Sequence, residues 1–190
     1  MNFPSMIETP RLILQCPQNP TFDLAEDLYA VIEKSRNHLA PFLKWARTMN
    51  SAEEGFVYLK NYAEARFIEK TGFCYLIYLK GTHQFIGTID LINVDEKKKS
   101  TEIGFWLSQD ATGQGYMLEA VKALETEAFA QGFHRIVIRN DTRNIKSANV
   151  AKNAGYHLDG VMRQDIFDKE TGLFYDTNVF SKLQSEASDD

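Results

Sequence analysis

The chain has 190 residues, 44% of them hydrophobic and 12% aromatic, which is ample for a packed core and argues against a disordered or fibrous chain. A formal charge of -5 speaks against a general nucleic-acid binder, which needs a basic face, and suits a cationic substrate or a basic protein partner. Cys16 and Cys74 are too far apart to suggest a disulfide framework or a clustered metal site, no apolar run is long enough to span a bilayer, and MNFPSMIETP lacks a signal-peptide pattern, so the cytoplasm is the expected compartment.

RLILQC, residues 11 to 16, reads as a strand, and residues 22 to 45 follow with Leu24, Leu28, Val31 and Ile32 at helical spacing. Pro41 should end or kink that helix near Ala40. Ser51 with Glu54 predicts a capping box for a second helix that runs to about Lys70 and is closed by Gly72. The apolar runs 73 to 80 and 84 to 95, joined by GTHQ, read as a hairpin. After the charged EKKKS turn, TEIGFWLS (101 to 108) lacks strict alternation and is expected to be a central strand. Helix 116 to 131 carries Met117, Ala120, Val121, Leu124 and Ala128 on one face, with Glu119, Lys122 and Glu125 off it, and Gly132 ends it. HRIVIRN (134 to 140) is a further strand, residues 146 to 153 a short helix ending at Gly155, and YHLDGVMRQDIF with GLFYDTNVFSKL a closing strand pair around DKETG. The expected architecture is one mixed α+β domain over residues 1–183, followed by a disordered acidic tail over 184–190. The unit from 101 to 140 should hold two parallel strands, with its loop at their carboxyl ends, where such sheets bind ligands.

That loop, DATGQGYMLEA, places Gly113 and Gly115 around Gln114 just before the helix that begins near Tyr116. Glycines permit positive φ and close backbone approach, and a helix start offers free N–H groups, so the segment reads either as an anion cradle or as a plain tight turn. No Lys-Ser or Lys-Thr follows, which excludes the P-loop, and the third glycine of the dinucleotide fingerprint is absent.

The run EIGFWLSQDATGQGYMLEAVKALETEAF, followed by RIVIRNDTRNIKSANVAKNAGYHLDGVMRQ, resembles the GNAT superfamily of acetyl-CoA-dependent N-acetyltransferases, and within it the ribosomal-protein-serine N-acetyltransferase family. The resemblance takes in the opening TPRLIL strand, the Trp45 region and the closing GLFYDTNVFSKL strand. It implies a twisted, mostly antiparallel seven-stranded sheet flanked by four helices, whose fourth and fifth strands, here 101–108 and 134–140, splay apart to hold acetyl-CoA. On that resemblance the backbone edge of Trp106, Leu107 and Ser108 pairs with the pantetheine arm. The amides of Thr112, Gly113, Gln114, Gly115 and Tyr116 receive the pyrophosphate, and Asn144 hydrogen-bonds the cofactor arm. The chain departs from the superfamily at Thr112, where Gln or Arg is usual, and at Met117, where a small residue is common though Met fits this particular family.

Acetyl transfer from a thioester to an amine needs a neutral nucleophile, a polarised carbonyl and a proton for the leaving thiolate. An α-amine has a pKa of about 8 against about 10.4 for lysine, so an N-terminal acceptor asks less of a base. The family's glutamate base aligns with Ile166, and Asp165 beside it should face away unless a bulge intervenes. Glu102, in the family's Glu-Ile-Gly motif, is the candidate base through a water; its other reading is a structural carboxylate. Ser147, three residues after Asn144, matches the serine that protonates the thiolate, or else caps the following helix. Ile103, Phe105 and Leu107 read as core, and His38, His83, His134 and His157 as surface or edge residues with no metal spacing. Trp45 with Phe42 reads as packing or as an acceptor-pocket wall, and Asp165, Asp168 and Glu170 as a hairpin tip or an acidic acceptor site. The expected activity is direct acetyl transfer to a protein or peptide N-terminus, as on a ribosomal protein, with no metal, membrane or nucleic-acid partner and with a homodimer left open. The alternatives are a polyamine or aminoglycoside acetyltransferase and a non-catalytic acyl-CoA-binding module.

Overall fold

The computed structural model describes residues 1–64 and 71–187. Its strands are β1 (Met6–Glu8), β2 (Leu12–Gln15), β3 (Phe73–Leu79), β4 (Phe85–Asp95), β5 (Ser100–Leu107), β6 (Arg135–Asp141), β7 (His157–Asp168) and β8 (Leu173–Leu183). The helices are α1 (Phe22–Leu39), α2 (Lys44–Thr48), α3 (Ala52–Glu64), α4 (Tyr116–Ala130) and α5 (Ile145–Asn153). One sheet takes the order β1-β2-β3-β4-β5-β6-β8-β7. Every pairing is antiparallel except β5 with β6.

The mixed α+β architecture expected from the sequence is present, with one strand and one helix more than the seven and four anticipated. β1 has only three residues, too few to display a two-residue period, and exists through its pairing of Met6 with Gln15. Pro41 separates α1 from the five-residue α2, an outcome its missing N–H favours. Thr21 caps α1 by accepting from the Leu24 amide. At α3 the Ser51 hydroxyl accepts from the Glu54 amide, while the Glu54 carboxylate reaches the amide of Asn50, one residue before its expected partner. The part of that helix expected over 65–70 lies outside the described residues. Gln184–Glu186 form a single 3-10 turn, and 188–190 again lie outside the described residues.

Two apolar layers cover the sheet. One packs α4 and α5 against Leu12, Leu14, Ile103, Leu107, Ile136 and Ile138. The other packs α1 and α3 against Leu76, Phe85 and Trp106 on the opposite face. Glu125 departs from the expected pattern for α4: it is only 6% exposed, and its carboxylate meets Lys182 Nζ at 2.7 Å.

The feature that positions the site is where β5 and β6 part. Their parallel register covers only Ser100↔Arg135, Thr101↔Ile136 and Glu102↔Val137. β5 stays paired with β4 to Leu107, and β6 stays paired with β8 to Asp141. Each half of the sheet keeps its own ladder and twist, so the strand ends diverge beyond Glu102 and leave a gap.

Candidate active site

The gap opens into a cleft of about 770 Å³ bounded by β5, the loop before α4, the start of α5 and the end of α1. Its lining includes Trp106, Leu107, Thr112, Gly113, Gly115, Tyr116, Asn144 and Ser147, so the structure brings together eight of the residues singled out in the sequence. Ser108, Gln114 and Glu102 are not among its lining residues. The cationic residues on its wall are Arg143 and Lys146, beside the imidazole of His38, with no carboxylate among the described lining residues. An acidic chain thus presents a cationic cleft, a field that draws anions.

The Ser108 amide donates to Ile86 O at 2.7 Å and is therefore turned toward β4. Backbone groups alternate direction along a strand, so those of Trp106 also face β4, while those of Phe105 and Leu107 face the gap. Of the three residues expected to offer their backbone, Leu107 does so, and Phe105, read from the sequence as plain core, joins it. The Trp106 side chain lies in the layer beneath α1 and α3, against Trp45 and Phe85.

After β5 a 3-10 turn, Gln109–Ala111, leads into the loop, and the buried Ser35 of α1 accepts from the Gln109 amide at 3.1 Å. Thr112 uses both its amide and its hydroxyl on Gln109 O. Gly113 and Gly115 adopt φ of 79° and 76°, the left-handed region that glycine enters without penalty. Gly115 is the N-cap of α4 and has no side chain to satisfy the first-turn donors. Among the described residues, the amides of Gly113, Gln114, Gly115 and Tyr116 make no backbone hydrogen bond. Together with the helix dipole they form a concavity suited to an anion.

Across the gap, Asn144 is the N-cap of α5: its Oδ1 accepts from the Ser147 amide at 3.1 Å. The cap is therefore supplied by Asn144, not by Ser147, which takes the third helical position and lines the cleft. Arg143 is fixed by two bonds to the Asp141 carboxylate and lies 3.3 Å above the Tyr175 ring. Burial works against the Asp141 charge, but the Arg143 hydrogen bonds prevail and hold its pKa below the ordinary aspartate value. Burial, followed by the charge of Lys146, lowers the pKa of His38.

Glu102 stands at the closed end of the gap, in the last parallel pair, and alternation puts it on the sheet face of Trp106. Burial raises its pKa above the ordinary glutamate value, opposed by a 3.0 Å hydrogen bond from Asn93 Nδ2 and by the charge of Arg139. Asn93 sits at φ 51° where the β4–β5 register shifts, a conformation asparagine tolerates better than most residues. The bulge that the sequence left conditional is present: β7 loses register between Met162 and Ile166, with Gln164 at φ 54°. It lets Asp165 reach Arg139 Nη2 at 2.8 Å, while Ile166 pairs with Tyr175. Asp168 and Glu170 are both bound by Arg47, which ties the β7–β8 tip to α2. Both carboxylates are engaged by this one guanidinium, which offsets part of their charge. Deeper on the same face, Tyr58 donates to Tyr62, and Tyr62 to the buried Asp90, whose pKa burial pushes up to about 7.

Sequence reasoning missed Asn93, Arg139, Arg143 and His38. None carries a spacing signal of its own: Arg143 meets Asp141 two residues back but reaches the Tyr175 ring only through the fold, and only the strand register brings Asn93 and Arg139 to Glu102. Trp45, left open between packing and pocket wall, packs between Tyr58 and Trp106, whereas Phe42 lines the cleft.

The sequence pattern of the family described as "Acetyltransferase (GNAT) domain" matches residues 11–157. The chain is 26% identical over 157 residues to the ribosomal-protein-serine acetyltransferase of Escherichia coli (strain K12), covering 82% of this chain and 85% of that one. It is 29% identical over 177 residues to the uncharacterized N-acetyltransferase YoaA of Bacillus subtilis (strain 168), covering 93% and 95% respectively. Among solved structures, RimL, a ribosomal L7/L12 alpha-N-protein acetyltransferase in complex with coenzyme A, superposes with a TM-score of 0.85 at 23% identity, over 96% of this chain and 99% of that one. The shared fold, the splayed strands and the family match over most of the chain lead to one assignment: this protein belongs to the GNAT family of acetyltransferases.

Proposed function

We propose that the protein transfers an acetyl group from acetyl-CoA to the α-amine of a protein or peptide N-terminus, by direct attack within a ternary complex. The observation that carries this reading is the cleft itself, which combines an unpaired β5 edge, four unspent loop amides and a wall charged only by cations. These groups fit an extended amide-bearing arm ending in a diphosphate. Leu107 and Phe105 pair with the arm, the amides of Gly113 to Tyr116 take the phosphates, and Asn144 offers its Nδ2 group to the arm. The E. coli relative's name supplies the acceptor class, a ribosomal protein.

Acetyl-CoA supplies an activated thioester carbonyl. Glu102 takes a proton from the ammonium through a water, freeing the nitrogen lone pair. The N–C bond forms as the C–S bond breaks, the Ser147 hydroxyl protonates the departing sulfur, and the second proton leaving the nitrogen restores the Ser147 hydroxyl. Burial suits Glu102 to this task, because a raised pKa brings a carboxylate closer to that of the amine it deprotonates. A small polycation would gain little here, since Asp165, Asp168 and Glu170 are already paired with arginines.

The deciding measurement is thiol release from acetyl-CoA with free N-terminal peptides, polyamines and aminoglycosides in turn. Peptides should be the productive acceptors, and Glu102→Gln should slow transfer roughly a hundredfold with little change in acetyl-CoA affinity. Full activity in Glu102→Gln would remove that residue from the mechanism. Cofactor binding without amine-dependent thiol release would make the protein an acyl-CoA-binding module.

A further inference from the structure

The two glycines that allow the loop to cradle an anion also allow it to present the wrong groups. Rotating the Gln114–Gly115 peptide plane by half a turn would direct a carbonyl, not an N–H, at the bound phosphate. Glycine at position 115 makes that rotation cheap, and α4 has no capping side chain to oppose it.

Arg11, immediately before β2, supplies the restraint. Its Nη1 donates to Gln114 O at 2.9 Å, and its Nε donates to Glu119 Oε2 at 2.6 Å. The guanidinium carbon stands 4.7 Å above the ring of Tyr116, the first residue of α4. Glu119 is itself fixed: its Oε1 accepts from the Arg11 amide at 2.9 Å and from the Thr9 hydroxyl at 2.6 Å. The Arg11 carbonyl is held by the Lys80 amide at 2.9 Å, so the guanidinium is anchored to the sheet and not merely to the loop. A trans peptide carries its C=O and N–H on opposite sides. With Gln114 O held outward by Arg11, the Gly115 N–H must point toward the cleft that Gly115 lines.

We infer that Arg11 is a positioning residue that sets the sense of the Gln114–Gly115 peptide, and so decides that the loop receives a diphosphate with N–H donors. The inference rests on the loop's role proposed above. Planarity matters as well as charge: the guanidinium must bond Gln114 O and Glu119 at once while lying over Tyr116. A lysine ammonium lacks the fixed fork that does this.

The test compares the affinity of the wild type, Arg11→Met and Arg11→Lys for acetyl-CoA and for S-acetylpantetheine, which has the same arm and thioester but no diphosphate. Calorimetry or competition binding reads the ratio of the two affinities, which a uniform fall in folded fraction leaves unchanged. The wild type should prefer acetyl-CoA, and both variants should lose roughly ten- to a hundredfold of that preference, the scale of one hydrogen bond to a charged group. If Arg11→Lys keeps the wild-type ratio, Arg11 acts by charge alone and the inference is wrong. If Arg11→Met keeps it, Arg11 has no part in the loop's function. A wild type with no preference for acetyl-CoA instead overturns the loop's phosphate-binding role, and this inference with it.

Discussion

At the scale of single residues, the site depends on side chains whose behaviour is set by neighbours distant in sequence. Glu102 illustrates this: its position on a strand beside the glycine loop is legible in the Glu-Ile-Gly motif, but its raised pKa is not. Burial raises that pKa, and Asn93 and Arg139 restrain the rise because both favour the ionised carboxylate. A base is lost when protonated, so activity should fall as pH drops through the raised pKa, at higher pH than an exposed glutamate would give. Asn93→Ala removes a bond to the charged form and should move the acid limb of kcat/KM to higher pH for the same peptide acceptor. A pH–rate profile checks this; an unmoved limb, or one moved to lower pH, separates Asn93 from the base. Ser147 shows how a tertiary finding narrows a sequence ambiguity. Its capping reading gives way because Asn144 performs that role.

At the scale of elements, α4 was read from its periodic apolar residues, and Met117, Ala120, Val121, Leu124 and Ala128 are all buried as that reading requires. Glu125 was placed off the face by its chemistry, since charged residues are seldom fully buried unless paired. Its partner Lys182 lies 57 residues away on β8, bonded also to Ala154 O at 2.9 Å, with both side chains 8% exposed. Lys182→Met leaves a buried carboxylate without its cation and should cost about 3–5 kcal/mol in urea unfolding. The double variant with Glu125→Leu should recover much of that loss. A cost under about 1 kcal/mol for Lys182→Met alone would show that Glu125 finds water or another donor. β7 teaches a similar lesson: alternation predicted that Asp165 faces away, and the bulge at Gln164 overrides it through a backbone conformation that side-chain pattern does not report.

At the scale of the whole molecule, the cleft is a seam between two half-sheets, held together by three parallel pairs at one end. A ligand that bridges β5, the glycine loop and α5 binds the folded state alone and should stabilise it by mass action. Acetyl-CoA at roughly a hundredfold above its Kd should add about 2.7 kcal/mol, visible as a rise in Tm. Amide exchange should slow in residues 103 to 107 and 113 to 118. Gly113→Val places a β-branched residue at positive φ and should abolish most of the shift. An undiminished Tm shift in Gly113→Val would show that the loop does not hold the cofactor.

The sequence by itself determined the order of the strands and helices other than β1 and α2, the parallel relation of β5 and β6, the glycine loop at the carboxyl end of β5, and the resemblance on which the family assignment was expected. All of these depend on local pattern: apolar period, breakers, and residues a few positions apart. Only the tertiary structure decided which backbone edge of β5 is open and that Arg11, 103 and 108 residues earlier in the chain, reaches Gln114 and Glu119. It also decided that both carboxylates of the acidic hairpin tip are bound by Arg47 of α2. Those are properties of register and of long-range hydrogen bonding, in which a donor's partner is set by where strands pair and part, and no local spacing encodes that.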